Sequence, residues 1–379
     1  AVVDEAEQTV AALPLLAAAE HEQLLKWNDT RRELTAHSSI NQLFEAQVEQ
    51  TPEAPAVFFE DQQVSYRELN ERANQLAHQL TELGVGPEVV AGICVERSVE
   101  LVVALLGVLK AGGAYVPIDP SAPLGRISFM LEDAGVAVLL TQEQLSEVLP
   151  AHWAQTVCLD SQWNDIATYE TSNLNHEIFD QNAAYVVYTS GTSGEPKGVI
   201  VSQRALLERT RAMIDAYQLT AADRMLQFVS PSFDAFAEEL FPTLSCGAAL
   251  VMSRDPGSQG AGSLLNLINR LQITTLHVPP PYLNHMVENA QDGHGESPQG
   301  VRLFITGGES PSPDRIARWI EWSNRRTRFA VAYGPTEATI TAHGVSVFDD
   351  LKLPGMLFGQ VLRPPAVGAA LISAETPSG

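Results

Sequence analysis

The sequence predicts a layered α/β fold of largely parallel sheets flanked by helices. Short apolar segments of strand length alternate with helical stretches from about residue 89 to residue 332, the pattern of βα units rather than of a sandwich or a helical bundle. One apolar segment, Ala184-Tyr185-Val186-Val187-Tyr188, runs straight into a loop of small hydroxyl residues and glycines that ends on Lys197 and Gly198. Folds of this class bind ligands where loops leave the carboxyl ends of strands, and this loop is placed there.

The elements follow in order. Residues 1 to 37 read as a helical leader containing Leu13-Pro14-Leu15-Leu16, with a turn at Asn28-Asp29. Ser39 or Asn41 can cap a helix through Gln50 that carries Leu43, Phe44 and Val48 on one face. A second helix runs from about Tyr66 to Leu83 and ends before Gly84. Strands are predicted at Val89 to Val95, Val136 to Thr141, Thr156 to Leu159, Tyr185 to Thr189, Met225 to Val229, Ala249 to Met252, Thr275 to Val278, Leu303 to Thr306 and Phe329 to Ala332. Helices Val99 to Lys110, Ala205 to Tyr217 and Pro313 to Trp322 separate several of them. Asn289 to Gly300 reads as a polar surface loop.

Composition narrows the function. The chain has 379 residues, 45% hydrophobic and 18% charged, which suits a globular protein with a sizeable core. A formal net charge of −23 argues against nucleic acid or an anionic membrane as partner, because neither accepts an acidic surface without a local basic patch. Cys94, Cys158 and Cys246 are scattered, odd in number and lack metal-ligand spacing, so reduced thiols in a cytoplasmic protein are expected. The most apolar run, Leu101 to Val108, is far too short to span a bilayer.

The glycine loop fits polyphosphate. Glycines allow close backbone approach and positive φ, successive amides form an anion nest, and hydroxyls and an ammonium add donors and charge. It is not a Walker loop, whose spacing before Gly-Lys-Ser/Thr is different. Taken alone, such a run also reads as a surface hairpin.

The loop resembles the phosphate-binding signature of the adenylate-forming superfamily. Further motifs of that family follow in order: Val64-Ser65-Tyr66-Arg67-Glu68-Leu69-Asn70, Leu109-Lys110-Ala111-Gly112-Gly113-Ala114-Tyr115-Val116-Pro117-Ile118-Asp119, Phe233-Asp234-Ala235 and Ala332-Tyr333-Gly334-Pro335-Thr336-Glu337. Within the superfamily the chain is most similar to adenylation domains of nonribosomal peptide synthetases. The resemblance implies ATP-dependent activation of an α-amino acid as its adenylate. That amino acid would then load onto phosphopantetheine on a separate peptidyl carrier domain, with a condensation domain as neighbour. It also implies that residues 1–37 are a condensation-to-adenylation linker and residues 38–379 the amino-terminal core of the adenylation domain.

Roles follow the same resemblance. Thr189, Ser190, Gly191, Thr192, Ser193, Gly194 and Lys197 match the positions that hold the β- and γ-phosphates, and Thr336 matches the threonine at the α-phosphate. Glu337 matches the acidic residue that helps hold Mg²⁺; Lys197, Thr336 and Glu337 are thus the expected catalytic residues. Tyr333 matches the ring near adenine, with Gly308 and Ala332 beside the nucleotide. Many members carry Asn where this chain has Val331, so a side-chain bond to adenine from that position is not expected.

The amino-acid pocket carried over in this way comprises Asp234, Ala235, Glu238, His277, Ile305, Gly307, Ala332, Ile340 and Thr341. Asp234 matches the partner of the substrate's α-ammonium, a charge-assisted contact that relatives acting on fatty or aryl acids do not need; on local sequence alone it also reads as a helix N-cap. His277 reads equally as a structural histidine. Glu238 in a largely apolar pocket is costly unless a cation answers it, which implies a basic substrate side chain; alternatively Glu238 and Glu239 form a surface pair on a helix. The family's ribose-binding aspartate, hinge and mobile domain with its catalytic lysine are not found before Gly379, so a binding-competent core with impaired turnover is expected. An acyl- or aryl-CoA ligase and a non-catalytic binding fragment of the same fold are the competing readings.

Overall fold

The computed structural model describes residues 18–28, 39–175, 177–190, 196–257, 261–291, 298, 300–323, 326–341, 343–347 and 359–362. Helices α1 (Ala18–Asn28) and α2 (Ile40–Gln50) precede a hairpin of β1 (Pro55–Phe59) and β2 (Gln62–Ser65). Then come α3 (Tyr66–Glu82), β3 (Val90–Ile93), α4 (Val99–Lys110), β4 (Ala114–Pro117), α5 (Leu124–Asp133), β5 (Val138–Thr141), α6 (Glu143–Ser146), β6 (Gln155–Cys158) and α7 (Trp163–Ile166). A second hairpin, β7 (Ala183–Ser190) and β8 (Pro196–Ser202), leads to α8 (Gln203–Tyr217), β9 (Arg224–Leu226), α9 (Ala235–Ser245), β10 (Ala249–Met252) and α10 (Ala261–Arg270). The chain continues through β11 (Thr275–His277), α11 (Pro280–Gln291), β12 (Leu303–Gly307), α12 (Pro313–Trp322), β13 (Arg328–Tyr333), β14 (His343–Val347) and β15 (Gly359–Leu362).

The strands form two sheets, one in the order β15-β14-β13-β12-β11-β9-β10-β1-β2 and one in the order β6-β5-β3-β4-β7-β8. Pairing is parallel from β13 through β12, β11, β9 and β10 to β1 in the first sheet and from β6 through β5, β3 and β4 to β7 in the second, and the antiparallel pairings lie toward the ends at β1/β2, β13/β14, β14/β15 and β7/β8. That is the expected fold class: parallel strands need both faces covered, whereas antiparallel edge strands do not. One core joins the inner faces of both sheets through α2, α3, α4, α8 and α9. Helix α4 is buried along its whole length except at Glu100, as a helix that is apolar all round must be. On the far face of the nine-stranded sheet, Phe304 stacks on Phe329 and meets Trp319 edge-on, each with centroids 4.6 Å apart.

Local sequence signals account for most boundaries. Ser39, Ser65, Ser98 and Ser202 each accept from a backbone amide in the first turn of the helix they precede, satisfying a donor that the helix cannot. Two expectations need correction. The strand expected at Met225 to Val229 ends at Leu226, because the amides of Phe228 and Val229 bond to the Glu239 carboxylate rather than to a neighbouring strand. The glycine loop joins two antiparallel strands, so it is topologically a hairpin tip as well as the exit of β7. Of the leader, residues 1–17 and 29–37 lie outside the described residues, as do most of those in the expected 289–300 loop, whose first residues instead end α11.

Candidate active site

At the hairpin, Thr189 is the cross-strand partner of Lys197, and Ser190 that of Pro196. Directly opposed residues project to the same face of a sheet, so Thr189 and Lys197 share one. Lys197 is exposed. Gly191, Thr192, Ser193 and Gly194 lie outside the described residues. The base of the hairpin is anchored by Tyr188, whose hydroxyl donates to Asp133 Oδ2 at 2.6 Å while Phe129 meets its ring edge-on.

The residues expected to form the amino-acid pocket lie at the start of α9, on β11, β12 and β13, and in the segment that follows β13. Asp234 immediately precedes α9, Ala235 begins it, and Glu238 follows one turn later on the same face. Asp234 adopts helical φ/ψ and its side chain makes no capping bond. Asp234 thus stands at the N-cap position of α9 without a capping bond from its side chain. Its carboxylate instead takes the Thr336 hydroxyl and the amides of Asp234 and Ala235, while Oδ2 is buried with no hydrogen-bond partner among the described residues. Burial raises the pKa of Asp234 above the usual carboxylate value, the hydrogen bonds lower it, and the negative charge of Glu238 raises it further. Burial thus penalises this charge.

Glu238 is 1% exposed, which overturns the surface alternative. Tyr217 Oη donates to its Oε1 at 2.5 Å and Thr341 Oγ1 to its Oε2 at 2.8 Å. The buried guanidinium of Arg209 interacts with the same charge. The positive charge of Arg209 is therefore felt at Glu238, although its Nε is bonded to the Thr339 carbonyl. His277 ends β11 and pairs in register with Ile305 of β12. Its ring is buried, Nδ1 has no partner among the described residues, and burial lowers its pKa while Glu238 pulls the other way.

Gly307 pairs with Ala332 across β12 and β13. A Cβ there would lie 2.4 Å from the Ala332 carbonyl oxygen, so no other residue fits, and Gly308 beside it has φ +87°. After β13, a single 3₁₀ turn spans Thr336–Ala338. Tyr333 is 69% exposed, Glu337 is exposed, and Ile340 and Thr341 are buried. Thr339 and Ile340 hold φ of 62° and 68°. Two consecutive β-branched residues at positive φ store strain of about 1–3 kcal/mol each. Arg209 Nε donates to the Thr339 carbonyl at 3.0 Å, and the Thr341–Glu238 bond secures the far side. Among the described residues no group of three or more His, Cys, Asp or Glu side chains is arranged to hold a metal by itself.

Sequence reasoning missed Arg209 and Tyr217. The available signal was Arg209 at helical spacing from the buried Leu206 and Met213, a charge on what should be an apolar face. It also missed the partners of the 227–230 segment, Arg97 and Glu239, which no local pattern marks.

The AMP-binding enzyme family model matches residues 44–375. The chain is 40% identical over 349 residues to one of the linear gramicidin synthase proteins of Brevibacillus parabrevis, covering 92% of this chain and 4% of that protein. It is 36% identical over 324 residues to tyrocidine synthase 1 of the same organism, covering 83% and 29%. The crystal structure of the nonribosomal peptide synthetase FmoA3 superposes with a TM-score of 0.85 at 28% identity, covering 96% of this chain and 38% of that one. The chain thus spans a small part of the length of these relatives. It belongs to the AMP-binding enzyme family and, within it, to the adenylation domains of nonribosomal peptide synthetases.

Proposed function

We propose that this chain activates an α-amino acid with ATP, releasing pyrophosphate, ahead of transfer to phosphopantetheine on a carrier domain. The observation that carries the proposal is Asp234, whose buried Oδ2 has no partner among the described residues and whose charge burial disfavours. A substrate ammonium answers both. The carrier and condensation domains of one synthetase are the proposed partners and the cytoplasm the proposed compartment. Among the described residues no helix is long and apolar enough to cross a membrane.

In the proposed step a carboxylate oxygen of the amino acid attacks the α-phosphorus, and the bond to the departing pyrophosphate breaks. Positioning and charge neutralisation are what the protein contributes. Asp234 fixes the ammonium, while Thr189, Ser190, the hairpin tip and Lys197 are assigned to the β- and γ-phosphates. Thr336 is assigned to the α-phosphate. Its single O–H, donated to Asp234 in the free protein, can serve one acceptor at a time, so phosphate binding would release the carboxylate toward the ammonium. The exposed ring of Tyr333 is assigned to adenine, with Gly308 and Ala332 alongside. Exposed Glu337, on the same turn as Thr336, suits Mg²⁺, which takes one or two carboxylates and completes its shell with phosphate oxygens and water. The ion would supply charge neutralisation at the phosphates.

Replacing Lys197 with alanine is expected to weaken ATP binding about tenfold or more, the scale of one charge-assisted contact, with the melting temperature unchanged. Calorimetric titration of ATP into both proteins measures this. Equal affinities would remove Lys197 from the phosphate site.

The proposed side-chain preference is basic, with lysine or ornithine ahead of arginine, because Glu238 is a buried carboxylate at a pocket position alongside Ala235, Ile305 and Ile340. A second reading, an uncharged polar side chain, is favoured by Arg209, whose positive charge acts on Glu238. FmoA3 has been solved with α-methyl-L-serine-AMP bound, which sets a polar precedent. Pyrophosphate exchange and binding with lysine, ornithine, leucine and serine in wild type and Glu238→Gln separate the two. A basic preference abolished by neutralising Glu238 supports the first; a polar preference indifferent to it supports the second. Equal activity with deaminated analogues would instead indicate acyl- or aryl-acid activation.

A further inference from the structure

The segment from Gln227 to Phe233 leads directly to Asp234, yet it belongs to no strand or helix. Its backbone is held by side chains from elsewhere. Glu239, on α9, accepts from the amides of Phe228 and Val229 at 3.2 Å. Gln227, fully buried, donates from Nε2 to Glu239 Oε2 at 3.0 Å and to the Val229 carbonyl at 2.5 Å. The remaining contacts cross from the other sheet. Arg97 Nε donates to Gln227 Oε1 at 2.9 Å and its Nη2 to the Phe228 carbonyl at 2.6 Å. Ser230 Oγ donates to Asp119 Oδ2 at 2.9 Å, and the other oxygen of Asp119 is held by the Ser121 amide and hydroxyl.

Arg97 and Asp119 follow β3 and β4, parallel neighbours in the six-stranded sheet, and both lie beyond the carboxyl ends of those strands. Gln227 begins the segment beyond the carboxyl end of β9 in the nine-stranded sheet. The two sheets thus meet here through a cation and an anion, each spent on the segment that delivers Asp234. Past Ser230 the chain tightens, with the Phe233 amide donating to the Ser230 carbonyl at 3.0 Å and the Ala237 amide to the Asp234 carbonyl at 2.9 Å. No ladder hydrogen bond fixes residues 228 to 233, so their path is set by these side chains.

We infer that Arg97 and Asp119 are positioning residues for the substrate ammonium: they lock the 227–233 segment across the two sheets and so fix where the Asp234 carboxylate sits. Neither reaches the substrate. The inference rests on the amino-acid reading of the site. A guanidinium fork suits the task because it serves a side-chain amide and a backbone carbonyl at once, which an ammonium cannot do with the same geometry.

The test is calorimetric titration of L-lysine, L-ornithine, L-leucine and L-serine, and separately of ATP, into wild type, Arg97→Met, Arg97→Lys, Ser230→Ala and Asp234→Ala. For the amino acid that binds wild type most tightly, Arg97→Met is expected to raise Kd roughly tenfold, Arg97→Lys and Ser230→Ala about threefold, with ATP affinity changed less than about twofold. Because the effect runs through Asp234, adding Arg97→Met to Asp234→Ala should cost almost nothing further, and a deaminated analogue should bind all the variants alike. A parallel loss of amino-acid and ATP affinity together with a lowered melting temperature would make the contacts merely structural and overturn the inference, as would full additivity with Asp234→Ala. Should Arg97→Met not fold, Ser230→Ala alone decides, since it deletes one hydroxyl and leaves Arg97 in place. If wild type binds none of the amino acids, the amino-acid reading falls and this inference with it.

Discussion

Asp234→Ala is expected to lower amino-acid affinity by two to three and a half decades. Removing one partner of a buried ion pair costs about 3–5 kcal/mol, because the other charge is left desolvated and unanswered. The corresponding penalty is visible on Asp234 itself, where burial raises its pKa and Oδ2 has no partner among the described residues. An analogue lacking the α-amino group should bind wild type poorly and be nearly indifferent to the substitution. Equal losses for both compounds would make Asp234 a structural residue. The pH dependence has a definite sign. Burial makes the free carboxyl hold its proton to higher pH than a solvated carboxyl would, whereas the bound ammonium requires it ionised. Affinity should therefore rise with pH through the raised carboxyl pKa, and that limb should vanish in the alanine variant.

The largest expected effect on stability comes from the pair between Lys110 and Glu45. Lys110 ends α4 with its side chain 1% exposed and bonds to the Glu45 carboxylate, whose side chain is 19% exposed. Its Nζ also donates to Asn173 Oδ1 at 3.3 Å, an oxygen that takes Nδ2 donors from both Asn70 and Asn74 at 2.9 Å. Burial lowers the lysine's pKa, and Glu45 pulls it back up. Glu45→Ala strands a buried cation and is expected to cost about 3 kcal/mol or more, whereas Lys110→Met, which leaves behind the better solvated partner and fills the same volume, should cost far less. Urea denaturation of the two variants measures the asymmetry. Equal costs would mean that the pair contributes through packing rather than through charge.

Much of the architecture was legible in the sequence because it depends on local physics. The boundaries of α2, α4 and α12 follow from Ser39, from the apolar run bounded by Glu100 and Lys110, and from Pro313. The carboxyl end of β7 follows from an apolar strand meeting glycines, and parallel sheets follow from the alternation of strand and helix. The edge strands β2 and β8 were missed, since strands exposed on one side carry a weak apolar signal, as were β1 and the four-residue β4, and α9 was obscured by Pro242 within it.

The family, and with it the candidate residues, could also be read from motifs spread over residues 64 to 341. What those residues touch could not. Glu238 reads identically in sequence whether it faces water, a substrate cation or Arg209, and only the packing of α8 against α9, with the 336–341 turn closing over them, decided that it is buried against Tyr217 and Thr341. Asp234 reads as a capping side chain until its capping bond proves absent and the Thr336 hydroxyl present. The grip of Arg97 and Asp119 on the segment before Asp234 joins residues more than a hundred positions apart. Such contacts are chosen by which strand ends the tertiary fold brings together, and hydrophobic periodicity and turn chemistry carry no record of that choice.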